Sequence, residues 1–372
     1  MNIERVREVF AENFAERGEI GASVSIWQHG REVLTLSAGW CEKEERRPWT
    51  DETIVPVYSV TKSLAATTFL MVLRAAGLEP NDLVRRVWPE LQVGELTFLE
   101  LLSHRAGLPG FDEKVNVADR EAVIARLEQT QPYWSEGVEH GYHARTIGFI
   151  LDELTERLLS KRLGACWREW IADPLELDFW IGLPESKFEK VGKLYPGRYL
   201  IRKEEKPFYE SMQTQGSLAQ RAFTSLRGYQ SASEMNDSAA WQGGFPAFGG
   251  VGSASALAKF YQAVMGKTEE EVIPHEVRTL LANPLVNGLD EVLLLPTSFG
   301  AGSMFDPVDE SGQKLRKLFG PNRNAFGHPG AGGSHAFCDP ETGFSFGYVM
   351  NQMELGLFPG TRGLGLMGAM YE

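Results

Sequence analysis

The sequence predicts an α+β fold: one antiparallel sheet built from strands at the two ends of the chain and flanked by helices, with a helical subdomain inserted between them. Three observations predict it. Residues 22–29 and 32–40 alternate small or polar with large apolar side chains about a turn at Gly30 and Arg31, the signature of a β-hairpin. Strand-like segments return late in the chain, at 324–328, 335–339 and 344–351, with residues 340–343 turning between the last two. Between these ends the apolar residues recur mainly at helical spacing. Hairpins at both ends with helices segregated in the middle mean α+β rather than a doubly wound parallel sheet. The expected division is 1–62 with 245–372 as a sheet-plus-helix subdomain, and 63–244 as a mainly helical one whose stretch 183–244 is a loop-rich pocket wall.

The elements follow in order. Residues 2–17 form an amphipathic helix, with Ile3, Val6, Val9, Phe10 and Phe14 on one side and Gly18 and Gly21 ending it. After the hairpin, the charged stretch 41–51 reads as a loop, and Pro56 precedes an apolar run at 64–73. That run is apolar nearly all round, so its helix is central and buried, and Gly77 stops it. Further helices are expected at 95–102, 119–130, 147–159 and from Ala165 to Pro174, then at 254–265 and 271–282, with a short Gly-rich helical tail.

Composition excludes several classes. A chain of 372 residues, 43% hydrophobic and 23% charged, is an ordinary globular profile long enough for two substructures. A net charge of −13 argues against nucleic acid and anionic membrane as partners, since both need basic patches. The three cysteines, Cys41, Cys166 and Cys338, are odd in number and widely spaced, which disfavours a disulfide framework or a zinc site. The seven histidines show no metal-ligand spacing, so no metal is expected. The N-terminal helix pattern carries acids and lacks the basic head and long apolar middle of a signal peptide, and no apolar run is long enough to span a membrane, so a cytoplasmic location is expected.

The chemistry centres on Ser59 and Lys62, a Ser-x-x-Lys pair immediately before the buried helix. Residues three apart share a helix face, so the amine lies beside the hydroxyl. A lysine whose pKa burial lowers can take the serine proton, and the helix N-terminus favours the alkoxide as it forms. On its own the pair also fits a plain N-cap. A second match, Ser311 and Lys314, lies among glycines and charges with no helix after it and reads as a loop. Ser345 sits in a Gly-x-Ser-x-Gly match, but strand-like alternation runs through it where a nucleophile elbow needs a turn into a helix. Residues 363–368 match Gly-x-Gly-x-x-Gly but follow no clear strand.

A Ser–Lys acyl-transfer enzyme also needs a second proton-transfer group and an oxyanion hole. Tyr142, in a Gly-flanked turn before a helix, is the candidate for the first, and cationic neighbours would ease its ionisation. His328, Pro329, Gly330 and Ala331, directly after a strand, are candidates for the substrate-binding edge, where glycines let backbone N–H groups approach a substrate oxygen.

This order resembles the serine β-lactamase and penicillin-binding-protein superfamily: Ser-x-x-Lys at Ser59, then Tyr142, then a Gly-containing triplet at His328-Pro329-Gly330 on a late strand. The likeness is greatest to the class C-like branch, and within it to the family VIII carboxylesterases and related serine hydrolases. Residues 101–109 and 249–254 resemble further segments of that branch, so the likeness spans nearly the whole chain. It implies a β-lactamase/transpeptidase-like fold, a Ser59 nucleophile, Lys62 and Tyr142 sharing the proton transfers, and an oxyanion hole from the N–H groups of Ser59 and Ala331.

The departures bear on substrate. The branch's lactamases carry Tyr-x-Asn where this chain has Tyr142-His143-Ala144, and Lys-Thr-Gly where it has His328-Pro329-Gly330. Both changes remove groups that would hold a carboxylated amide and leave the acyl-transfer machinery. A cytoplasmic carboxylesterase acting through an acyl-Ser59 intermediate is therefore expected, with no cofactor and a small-molecule ester as its partner. Trp241, Phe245 and Phe248 are the expected apolar lining for a short acyl or alcohol group. A weak β-lactamase or D-amino-acid peptidase, an acyltransferase, and a non-catalytic binding module on the same fold are the alternatives.

Overall fold

A computed structural model describes residues 1–197 and 201–372; residues 198–200, inside the expected pocket wall, lie outside the described residues. Nine strands form one antiparallel sheet. They are β1 (Gly21–Gln28), β2 (Arg31–Glu42), β3 (Arg47–Pro48), β4 (Val286–Leu289), β5 (Pro296–Phe299), β6 (Met304–Phe305), β7 (Phe326–Pro329), β8 (His335–Asp339) and β9 (Phe344–Met350). Their order across the sheet is β3-β2-β1-β9-β8-β7-β6-β5-β4, so the first hairpin joins the last strand and the chain's two ends meet in the middle of the sheet. The junction runs from Ala22 opposite Met350 to Gln28 opposite Phe344.

Seven helices bear on the site or on the sheet that carries it: α1 (Ile3–Ala15), α2 (Thr61–Ala75), α3 (Thr146–Leu159), α4 (Lys206–Gln213), α5 (Leu218–Thr224), α6 (Ala254–Val264) and α7 (Thr361–Met370). The amphipathic α1 buries Val6, Val9 and Phe10 in one apolar cluster with Leu366 and Met370 of α7. The other large cluster surrounds α2, whose run from Thr61 to Leu70 is wholly buried, as a helix apolar on all sides requires. A buried ion pair, Arg362 to Glu19 at 2.8 Å, ties α7 to the chain entering β1.

The expected strands and most expected helices form close to where the pattern put them. The differences have local causes. The predicted loop at 41–51 is partly strand, because β2 runs on to Glu42 and Arg47–Pro48 folds back on it. The loop-rich stretch 183–244 also holds α4, α5 and the short helices Ala232–Met235 and Ser238–Gln242. These are too short to show a 3.6-residue period, and side-chain caps at Ser217, Ser231 and Asp237 start three of them. Strands β4, β5 and β6 were unforeseen, since Gly288 and Pro296 interrupt residues that show no two-residue alternation of hydrophobicity. The helix expected at 271–282 is confined to His275–Leu281, and the one from Ala165 to Pro174 is a short α-helix, Leu163–Trp167, continued by a π turn, Arg168–Ala172.

Helix α6 packs directly on β9 at Gly347, where an added Cβ would lie 2.2 Å from the Ala254 carbonyl oxygen. Gly347→Ala is expected to destabilise the fold by about 1–3 kcal/mol through overpacking; a urea-unfolding midpoint equal to that of the parent would refute the close contact.

Candidate active site

The turn carrying Ser59 is held from outside. Val55–Pro56 pairs with Val251–Gly252, which pairs in turn with Phe179–Trp180. The Val57 N–H donates to the Gly250 carbonyl at 2.9 Å, and the Thr61 hydroxyl donates to the Tyr58 carbonyl at 2.6 Å while accepting from the Gly250 N–H at 2.9 Å. Tyr58 sits in the left-handed region at φ 50°, a strained conformation for a bulky residue that its clamped neighbours maintain. The predicted first turn of the helix is 3₁₀, Tyr58–Val60, leading into α2. In a 3₁₀ turn, residues three apart eclipse. Lys62 Nζ accordingly lies 3.1 Å from Ser59 Oγ.

Lys62 is buried and has no acidic partner among its hydrogen bonds. Its Nζ donates to the carbonyls of Ala144 at 2.7 Å and Ala247 at 2.8 Å. Burial holds the amine well below its ordinary pKa of 10.5, and the nearby Arg145 guanidinium adds to the depression. A neutral amine has two N–H donors and one lone pair. In that form the two carbonyls would take both donors and leave the lone pair toward the Ser59 hydroxyl.

Tyr142 completes the group. It lines the same cleft as Ser59, which acts on its phenol, and its ring lies 4.8 Å from Lys62 Nζ and stacks on Phe299 at 5.9 Å. Cationic neighbours were expected to ease ionisation of this phenol. The structure shows the reverse: burial raises its pKa, and Ser59 only partly offsets that. Tyr142 is thus a neutral O–H at ordinary pH.

His328 reaches the same cleft from β7, its ring 5.9 Å from that of Tyr142. Its Nδ1–H donates to the Pro329 carbonyl at 2.7 Å, and its Nε2 has no partner among the described residues. Burial lowers its pKa to about 3, so the ring is neutral. Gly330 does not line the cleft but lets β7 press against the nucleophile turn, for a Cβ there would lie 2.1 Å from the Val57 carbonyl oxygen. Ser59 and Ala331 both line the cleft, and neither of their N–H groups donates to a carbonyl among the described residues.

The structure therefore brings Ser59, Lys62, Tyr142, His328 and Ala331 together. It does not bring Phe248 to the cleft. That ring is buried, stacked on Phe245 at 5.0 Å and covered by the Arg145 guanidinium at 4.1 Å. Phe245 packs in the core against Phe149, and Trp241 packs on Phe188 with its indole N–H donating to the Met235 carbonyl. These aromatics are core because the chain from 241 to 250 passes behind Lys62, delivering the Ala247 carbonyl instead of a pocket wall. The apolar wall is made by Phe223, Leu293, Met304, Leu357 and Phe358, none of which the sequence distinguished from core.

The other serines are structural. Ser345 is buried in β9 with its hydroxyl donating to the Ala258 carbonyl at 2.7 Å, and Lys314 pairs with Asp306 while Ser311 bonds Asp309. The Gly-rich match at 363–368 lies within α7. Among the described residues no three His, Cys, Asp or Glu side chains converge to hold a metal ion, and no helix is long and apolar enough to cross a membrane.

Comparison with known proteins agrees with this geometry. The Beta-lactamase family model matches residues 6–363. The esterase/beta-lactamase LipL of Mycobacterium tuberculosis is 26% identical over 370 residues, covering 94% of this chain and 81% of LipL. A penicillin-binding-protein homologue from Caulobacter crescentus is 31% identical with a TM-score of 0.86, over 99% of this chain and 96% of its own. A family VIII carboxylesterase is 29% identical with a TM-score of 0.87, over 100% and 97%. With a match across nearly its whole length, and with a Ser–Lys pair at the head of the buried helix, the chain belongs to the Beta-lactamase family and is a serine hydrolase of that family.

Proposed function

We propose that this protein hydrolyses small, uncharged carboxylic esters through an acyl-Ser59 intermediate. The observation that carries the reading is Lys62: a buried amine with both N–H donors engaged by carbonyls and its remaining position 3.1 Å from Ser59 Oγ. Lys62 takes the Ser59 proton as Oγ attacks the acyl carbonyl. The ammonium that forms keeps the Ala144 and Ala247 carbonyls and gains the Tyr142 ring face at 4.8 Å. The N–H groups of Ser59 and Ala331 hold the oxyanion. Tyr142 gives its proton to the departing alkoxide and is re-protonated from Lys62. Water then attacks the acyl-enzyme with the same groups acting in reverse order, which returns Ser59 and releases the acid.

The surroundings favour an uncharged ester. Ala144 offers no side-chain amide and turns its carbonyl to Lys62. His328, neutral with its pKa near 3, supplies no cation for a substrate carboxylate, and Pro329 has neither hydroxyl nor N–H. The cleft wall is apolar, and Phe223, seated against Phe208 at 5.2 Å, closes one side of it. The relatives named as esterase and carboxylesterase support this reading. LipL is named as esterase and beta-lactamase together, which keeps slow turnover of a chromogenic cephalosporin as the second reading.

Three outcomes are expected. A fluorophosphonate probe labels Ser59, and Ser59→Ala loses both labelling and hydrolysis of p-nitrophenyl butyrate while keeping its circular dichroism; hydrolysis retained in that variant would mean another nucleophile. The pH profile of kcat/KM has its acid limb where Lys62 gains a proton, so activity is present above the depressed pKa and lost as pH falls through it; an acid limb near 10.5 would contradict a neutral Lys62. Phe223→Ala is expected to raise the octanoate-to-butyrate ratio of kcat/KM on the order of tenfold, the scale of a small change in an apolar pocket; an unchanged ratio would place the acyl group elsewhere.

A further inference from the structure

We propose that Asp290 is the positioning residue for Tyr142, holding the phenol at Ser59 through the main chain of the turn that carries it. The inference rests on the role given to Tyr142 above. Asp290 is fully buried in the loop between β4 and β5 and faces no part of the cleft. Its Oδ1 accepts three backbone N–H bonds: from Tyr142 at 3.1 Å, Val292 at 2.9 Å and Leu293 at 2.8 Å. Its Oδ2 accepts from the Thr297 hydroxyl at 3.1 Å. Four donors replace the water that this carboxylate gave up on burial, and three of them are main-chain groups whose positions the fold sets.

The contact is one strand of a wider lacing. The Glu291 N–H donates to the His140 carbonyl at 3.0 Å, and His140 Nε2 lies 2.8 Å from Thr297 Oγ1. Phe299, at the end of β5, stacks on the Tyr142 ring with the planes 10° apart. The same hairpin thus holds the backbone of Tyr142 from one side and its ring from the other. The turn is also tied to His104, whose carbonyl accepts from the Gly141 N–H and whose Nδ1 accepts from the His143 N–H. Asp290 is the side chain that binds the Tyr142 N–H itself. Through Leu293, whose N–H it also takes, it sets one wall of the cleft. Displacing a catalytic hydroxyl by about 1 Å can cost on the order of a hundredfold in rate.

A double-mutant cycle separates this role from general support of the fold. Tyr142→Phe is expected to lower kcat by about 10²–10⁴-fold, as loss of a proton-transfer group does. Asp290→Ala is expected to lower kcat by about 10–100-fold with KM changed much less. Asp290→Asn keeps an oxygen for the three N–H groups and is expected to retain most of kcat. Combined with Tyr142→Phe, Asp290→Ala is expected to add no further loss, because the hydroxyl it positions is already gone. An equal additional loss in the double variant, or a parental kcat in Asp290→Ala alone, would overturn the proposal. A near-parental Tyr142→Phe would instead remove the role of Tyr142 and the inference with it. If Asp290→Ala does not fold, the cycle is run with Asp290→Ser, whose shorter side chain cannot span all three N–H groups.

Discussion

The site depends on one buried amine that has no counter-ion in its hydrogen-bonded shell. Lys62 sits in the helix at the centre of the larger core, where a charge is costly, and burial accordingly holds its pKa well below the ordinary value. Two carbonyls then orient it. One belongs to Ala144, in the turn before α3, and the other to Ala247, in the segment before α6. A charged lysine paired with an acid would be a structural ion pair and a poor base. The missing carboxylate and the two backbone acceptors are what fit this lysine for the proposed role of proton acceptor beside Ser59.

That arrangement makes the rest of the fold answerable to the site. The nucleophile turn is clamped by Gly250 and Thr61, β7 is drawn against it at Gly330, and Tyr142 is set by its turn and the ring of Phe299. Four of the seven histidines, His104, His140, His143 and His328, gather around Tyr142, and burial lowers the pKa of each. The cleft therefore carries little fixed charge of its own beyond what the reaction generates on Lys62 and the substrate oxygen. That is the setting the proposed uncharged ester would meet.

Much of the fold was legible because its elements carry strong local signals. The first hairpin, the last strands and α2 are long or sharply patterned, and they form within a few residues of the expected bounds. The short helices between 206 and 242 and the strands β4 to β6 escaped because each spans too few residues to show a period. The Ser59–Lys62 pair was legible for a related reason. Ser59 and Lys62 are three residues apart, so helical geometry alone brings them together.

By itself the sequence determined the α+β class, the Ser59–Lys62 pair and the candidacy of Tyr142 and the His328 edge, because these rest on spacing and on the order of segments along the chain. Which groups meet was set by packing in three dimensions. It pushed the Lys62 amine well below its ordinary pKa and raised that of the Tyr142 phenol, since desolvation depends on what surrounds a group in space. It sent Phe248 into the core and brought Phe223, Leu293 and Phe358 to the cleft. It placed Asp290 beneath Tyr142 across a gap of 148 residues, a contact that no local pattern encodes.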